Sequence, residues 1–306
     1  MRFAARTVTL TVLLALAALA FWHYWLRWPV GAGPAGPPVD RADFARGWTD
    51  SEVFLVGLGD SVTAGFGARP GYSYFDRLVR NPPEEFPEMQ GVCLSAVFPR
   101  LRFTNLAVNG STSLHHVRSQ LPKLPCQPTN VLGLVVITTG GNDLIHNYGR
   151  TPPAEGAMYG ATLAEARPWI ESFRTRLNGM VATITNAFPG GCHIFLGNIY
   201  DPTDGLGDIH WARLPRWPDG LTIHAAYNQV LAECAARFPQ VHLVDLHAAF
   251  LGHGIHCTQF WRTFYRKDDP RYWYHANLED PNERGYDALR RLFLNEMARV
   301  FQGTAF

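Results

Sequence analysis

Five strand candidates, most of them apolar, recur along this chain with helical patterns between them, and that alternation constrains the fold more than any other feature. The runs are Val53–Gly57, Leu101–Leu106, Leu132–Thr138, His193–Tyr200 and Val241–Leu246. A strand that is apolar throughout, instead of alternating, is buried on both faces. Strands joined by helices run parallel. Helices are expected at Thr162–Ala187, at Thr222–Arg237 and from about Asn282 to Phe301. Such a sheet gathers its functional groups at the C-terminal ends of its strands. With 306 residues, 47% of them hydrophobic, the chain can bury one sizeable core. A formal net charge of +1 and the lack of a basic run argue against nucleic acid as a partner. No Walker or dinucleotide fingerprint is present, and no cofactor is called for.

Three strand ends carry chemistry. After Val53-Phe54-Leu55-Val56 comes Gly59-Asp60-Ser61-Val62-Thr63-Ala64-Gly65, in which flanking glycines permit a tight turn that exposes a serine. Phe103-Thr104-Asn105-Leu106-Ala107-Val108-Asn109-Gly110-Ser111 brings a glycine N–H to the end of the second run. The third run ends in Gly140-Gly141-Asn142-Asp143. Acyl transfer builds negative charge on a carbonyl oxygen, which needs preorganised donors. The Ser61 and Gly110 N–H groups and the Asn142 amide can supply three.

In that order, these blocks resemble those of the SGNH/GDSL hydrolases. The resemblance covers roughly residues 50–302. It implies a three-layer α/β/α sandwich on a five-stranded, parallel, flavodoxin-like sheet, with Ser61 as nucleophile and Gly110 and Asn142 in the oxyanion hole. The family's fourth block, Asp-x-x-His-Pro-Asn, supplies an orienting aspartate and a histidine base. Here the matching stretch is Asn277-Leu278-Glu279-Asp280-Pro281-Asn282, so Asn277 stands at the aspartate position and Asp280 at the histidine position. A carboxylate of ordinary pKa is a poor acceptor for a serine proton. The expectation is therefore a histidine imported from the preceding loop, His253, His256 or His275, with Asp280 holding it.

Arg2 and Arg6 precede Thr7–Leu26, an apolar run long enough to cross a bilayer and ending in Trp22, Tyr24, Trp25 and Trp28. This reads as a signal anchor over residues 1–28 with the catalytic domain outside the cytoplasm. The rival is a signal peptide cleaved after Ala18-Leu19-Ala20. Residues 29–49, rich in Gly and Pro, read as a linker, and 50–306 as the hydrolase domain. Of five cysteines, Cys93 and Cys126 flank the second block and could pair, and the odd count leaves one free. His247, His253, His256 and Cys257 match no standard zinc spacing, and Asp201–Asp208 reads as a turn, not a calcium loop, so no metal is expected. The aromatic stretch from Phe260 to Tyr274 is either a lid or a loop packed on the domain. Together these features point to an exported esterase acting on acyl esters of lipids or glycans. The alternatives are an acyltransferase using the same serine and a non-catalytic binding module that lost its base.

Overall fold

A computed structural model describes residues 2–303. Strands β1 (Glu52–Gly59), β2 (Leu101–Asn105), β3 (Val131–Thr138), β4 (Cys192–Gly197) and β5 (Val241–Val244) form one parallel sheet in the order β2-β1-β3-β4-β5. The helices used below are α1 (Arg2–Phe21), α2 (Ser61–Ala64), α3 (Tyr74–Val79), α4 (Gly141–Ile145), α5 (Leu163–Ala187), α6 (Gly220–Arg237) and α7 (Glu283–Gly303). Their buried faces build two cores, one on each side of the sheet. One gathers α3 and α7 with Leu55, Leu134 and Phe195; the other gathers α5 and α6 with Val56, Val135 and Ile194. The expected sandwich is therefore present, because β1 and β3 are buried on both faces over nearly their whole length. Helix α5 starts where its sequence says it should: Thr162 and Glu165 form a reciprocal capping box.

Residues 29–49 differ from the expected linker. They form a strap along α7. Ala35 and Phe44 are buried, the Ala35 N–H donates to Asp287, and Arg284 donates to the Ala32 and Gly33 carbonyls. Gly36 is there for close approach: a Cβ at this position would stand 2.6 Å from the Ala288 Cα. The five cysteines are all free thiols, and Cys93 and Cys126 are not paired.

Helix α1 stands off the domain with its apolar side chains from Val8 to Leu19 exposed, and Arg6–Leu26 is long and apolar enough to span a membrane. The following turn docks. Gln259 donates to the Tyr24 carbonyl, Trp25 packs on Trp211 and Trp261, and Tyr24 on Phe260. The aromatic stretch is thus a packed loop and not a lid. Its Tyr272, Trp273 and Tyr274 lie in the core, while Phe260 and Trp261 meet the end of the apolar helix.

Candidate active site

Strand β1 delivers Ser61 through two positions that tolerate little else. Gly59 has φ 132° and crosses β3 so closely that a Cβ would meet the Thr138 carbonyl at 2.3 Å. Asp60 then caps α2, accepting from the Val62 N–H (3.1 Å) and the Thr138 hydroxyl (2.7 Å). Burial pushes the Asp60 carboxyl up to about 7. Gly65, at φ 84°, ends the short helix, and Ser61 is left 7% exposed at its start.

The oxyanion side is held by a buried polar clamp. Gln120 accepts from the Gly59 N–H and donates to both the Gly59 carbonyl and the Ser111 hydroxyl. Ser111 in turn fixes the turn that carries Gly110, whose φ of 72° suits glycine. Asn142 donates one amide hydrogen to the Ser111 carbonyl at 3.0 Å, which leaves its second free. Asp143 accepts from the Ser113 backbone and hydroxyl and so ties α4 to the same turn. Among the described residues, no carbonyl takes the Ser61 or the Gly110 N–H. Ser61 and Asn142 line one cavity of ≈ 160 Å³. Its walls are largely apolar, with Leu144, Ile145, Ile199, Leu214, Trp217 and Leu278 among them. Gly110 lies beside this cavity and does not line it.

Of the three candidate histidines, His253 and His256 are engaged elsewhere, and the buried His275 Nδ1 holds no hydrogen-bond partner. His253 stacks face to face on Trp273 at 3.5 Å, bonds the Arg271 carbonyl, and is pushed down to about 4 by burial. His256 holds Asp208 at 2.7 Å. His275 lies edge-on to Phe66. It sends its backbone N–H, not its ring, to Asp280, bonding the carbonyl at 2.6 Å. Among the described residues, no imidazole hydrogen-bonds to Ser61 or to the Asp280 carboxylate. The expected histidine base held by Asp280 is therefore not assembled.

Asp280 itself comes to the serine. It is 2% exposed. Burial raises its pKa, whereas the facing Ser61 hydroxyl, the Asn277 amide and the His275 charge pull it down. Glu279, on the cavity wall, is pushed up to about 7 by burial and by its neighbours Asp280 and Asp60. Asn277, which follows from the motif register, was not expected to act. Gln120 carries no sequence signal at all, being one polar residue at the end of a short helical segment, His116–Gln120. The acidic stretch near Asp204 is a turn, as expected. The Asp204 carboxylate accepts the N–H groups of Gly252, Gly254 and His256, which pins the start of the loop that ends at Asp280.

Comparison with known proteins agrees with this fold. The GDSL-like Lipase/Acylhydrolase family model matches residues 58–288. No curated protein is a significant match in sequence. Among solved structures, an extracellular lipase from Streptomyces rimosus is similar at 19% identity and a TM-score of 0.54, covering 80% of this chain and 99% of its own. Phospholipase A1 from Streptomyces albidoflavus NA297 gives 18%, 0.54, 80% and 99% in the same order. A catalytic mutant of an acetylxylan esterase from Geobacillus stearothermophilus gives 20%, 0.50, 80% and 94%. At such identities the structures speak for the fold, and the family match, over about three quarters of the chain, speaks for the chemistry. The chain belongs to the GDSL-like lipase/acylhydrolase family, serine hydrolases that act on ester bonds.

Proposed function

We propose that this protein is an exported, membrane-tethered esterase that attacks lipid acyl esters with Ser61. The carrying observation is that Ser61 and Asn142 open onto one apolar cavity. An acyl chain entering it places the ester carbonyl between the serine and the free Asn142 amide hydrogen. The Ser61 and Gly110 N–H groups complete the set of donors for the developing oxyanion. An acetyl group would leave most of the cavity unfilled, which favours longer acyl groups over O-acetylated glycans.

The membrane reading is supported by how the apolar helix meets the domain. Phe21 and Trp25 pack on Trp211, and the same loop supplies Ile209 and Leu214 to the cavity. Aromatic side chains at the end of a spanning helix seat at the lipid headgroup level. The cavity wall then lies next to the bilayer surface, within reach of an ester drawn from it.

A fluorophosphonate probe should label the protein at Ser61 and fail to label Ser61→Ala. Turnover of p-nitrophenyl esters should rise from acetyl to medium-length chains. Absence of both labelling and turnover would overturn the reading. A chain starting at Arg27 should leave the membrane fraction while keeping turnover of soluble esters. Starting later would remove Trp28, which packs on Tyr272, and then the strap.

A further inference from the structure

We propose that Asp280 takes the Ser61 proton, and that Asn277, by donating to Asp280, does for a carboxylate base what an aspartate does for an imidazole. This rests on the esterase reading above and concerns how that site moves its proton. A histidine base presents an N–H to its orienting partner, so the partner must accept, and an aspartate fits. A carboxylate base presents only acceptors, so its partner must donate. A second carboxylate there would repel it. An amide is the side chain of the same shape that donates. The two departures of the fourth block, histidine to aspartate and aspartate to asparagine, are therefore one complementary exchange.

The geometry carries it. Asn277 Nδ2 donates to Asp280 Oδ2 at 2.6 Å. Its orientation is settled by its other end: Oδ1 accepts the backbone N–H groups of Glu279 and Asp280, so the NH₂ must face the carboxylate. Asp280 Oδ1 is buried and holds no close partner in the resting enzyme, on the carboxylate that faces Ser61. Among the described residues no arginine or lysine pairs with Asp280, so nothing cationic of that kind quenches its basicity. The titratable groups around it are Asp60 from the serine turn, Glu279 and His275 from its own loop, Tyr200 after β4 and Tyr286 from α7. In that company the carboxyl holds its proton more tightly than an exposed aspartate, which is what a base requires.

In the step itself, Ser61 Oγ bonds the ester carbonyl carbon as its proton passes to Asp280 and the carbonyl electron pair moves onto the oxyanion. Collapse breaks the bond to the alcohol, which leaves with the proton from Asp280. Water then attacks the acyl-serine, gives a proton to Asp280, and Ser61 recovers that proton as the acid departs.

The test is steady-state kinetics on a soluble ester with the full chain in detergent, with thermal unfolding run on each variant. Asp280→Asn should lower kcat by about 10²–10⁴-fold while keeping its fold. His253→Ala, His256→Ala and His275→Ala should each stay within about tenfold of wild type. Asn277→Asp should move the acid limb of kcat/KM upward by a pH unit or more, because a neighbouring negative charge raises the Asp280 pKa. A merely structural Asn277 would not move that limb. Asp280→His should gain at least about tenfold when Asn277→Asp is added, since the pair then matches the family's usual one. The inference is overturned if Asp280→Asn stays within threefold of wild type, if the Asn277→Asp limb does not move, or if one histidine variant falls as far as Ser61→Ala. If the wild type neither turns over esters nor labels, it is the esterase reading that has failed.

Discussion

The Ser61 side of the site and the Asp280 side are held by different means. Ser61, Gly110 and Asn142 follow strand ends of a sheet whose core strands are almost solvent-free, and a hydrogen-bonded clamp around Gln120 and Ser111 locks their turns together. Asn277 and Asp280 sit at the end of a long irregular loop held by point contacts. These include Asp204 at the loop's start, the Tyr200 hydroxyl on the Glu279 carbonyl, and a bridge between Tyr274 and Pro281. A sheet dictates where its strand ends lie whatever the turn sequence. A loop has no such frame, so its residues can exchange chemistry provided that partners exchange together. That is why the substitutions fall on one side of the site and not the other.

The largest break in this comparison comes from the strand side. Ser61→Ala should cut kcat by roughly 10⁵–10⁶ in any assay, since the nucleophile is the one group the rest cannot replace. Retained turnover would place the chemistry elsewhere.

Next comes the abutment of the loop side. Helix α7 begins three residues after Asp280 and is bolted to α3 by a buried ionic network. Arg290 bonds Glu85 and Asp287, Arg77 bonds the same two, and Arg291 bonds Asp287 and Glu88. Arg290→Met takes one guanidinium from two buried carboxylates that keep Arg77 as a partner, and should cost about 3 kcal/mol of stability, read by urea unfolding. Burial alone would raise the Glu85 pKa, but the Arg290 and Arg77 guanidiniums outweigh it and hold it at about 2. Its folded value lies below the unfolded one, so its stabilisation is complete above about pH 4.5 and is lost as pH falls toward 2. Arg290→Met should flatten that acid slope. An unchanged slope would mean that the network does not set it.

Asn142→Ala should lower kcat by about 10²–10³ with little change in KM, as loss of one oxyanion donor does elsewhere. A change confined to KM would assign Asn142 to substrate binding alone.

How much of this the sequence revealed follows the same division. Strands β1 and β3 were legible because burial on both faces leaves unbroken apolar runs, whereas the edge strand β2 is largely exposed and mixes Arg102, Thr104 and Asn105 into its run. The three blocks were legible because each sits directly after a strand. The register of the fourth block was also legible, and Asn277 and Asp280 lie together at the serine end as it implies. The expectation of an imidazole base rested on the weak basicity of an ordinary carboxylate. It directed attention to His253 and His256, which a loop sequence cannot show to be stacked on Trp273 and tied to Asp208. The strap at 29–49 misled for a related reason. Gly and Pro suit both a loose linker and a chain pressed against a helix, and contacts such as the Gly36–Ala288 approach and the Ala35–Asp287 bond distinguish them.

The smallest effect expected is at Leu278, between Asn277 and Asp280. Its φ of 69° is left-handed, a conformation that costs a branched side chain about 1–2 kcal/mol. The same side chain is 7% exposed and forms part of the cavity wall, so packing holds the backbone there. Leu278→Gly removes both terms. Loss of the buried side chain should cost about 3 kcal/mol and relief of the backbone should return about 1–2, for a net loss of about 1–2 kcal/mol. The loosened backbone between Asn277 and Asp280 should lower kcat more than it raises KM for a short ester, which leaves most of the wall unused. A full loss of 3 kcal/mol or more would mean that the loop is as relaxed as the strand ends, and the contrast between the two sides would then rest on chemistry alone.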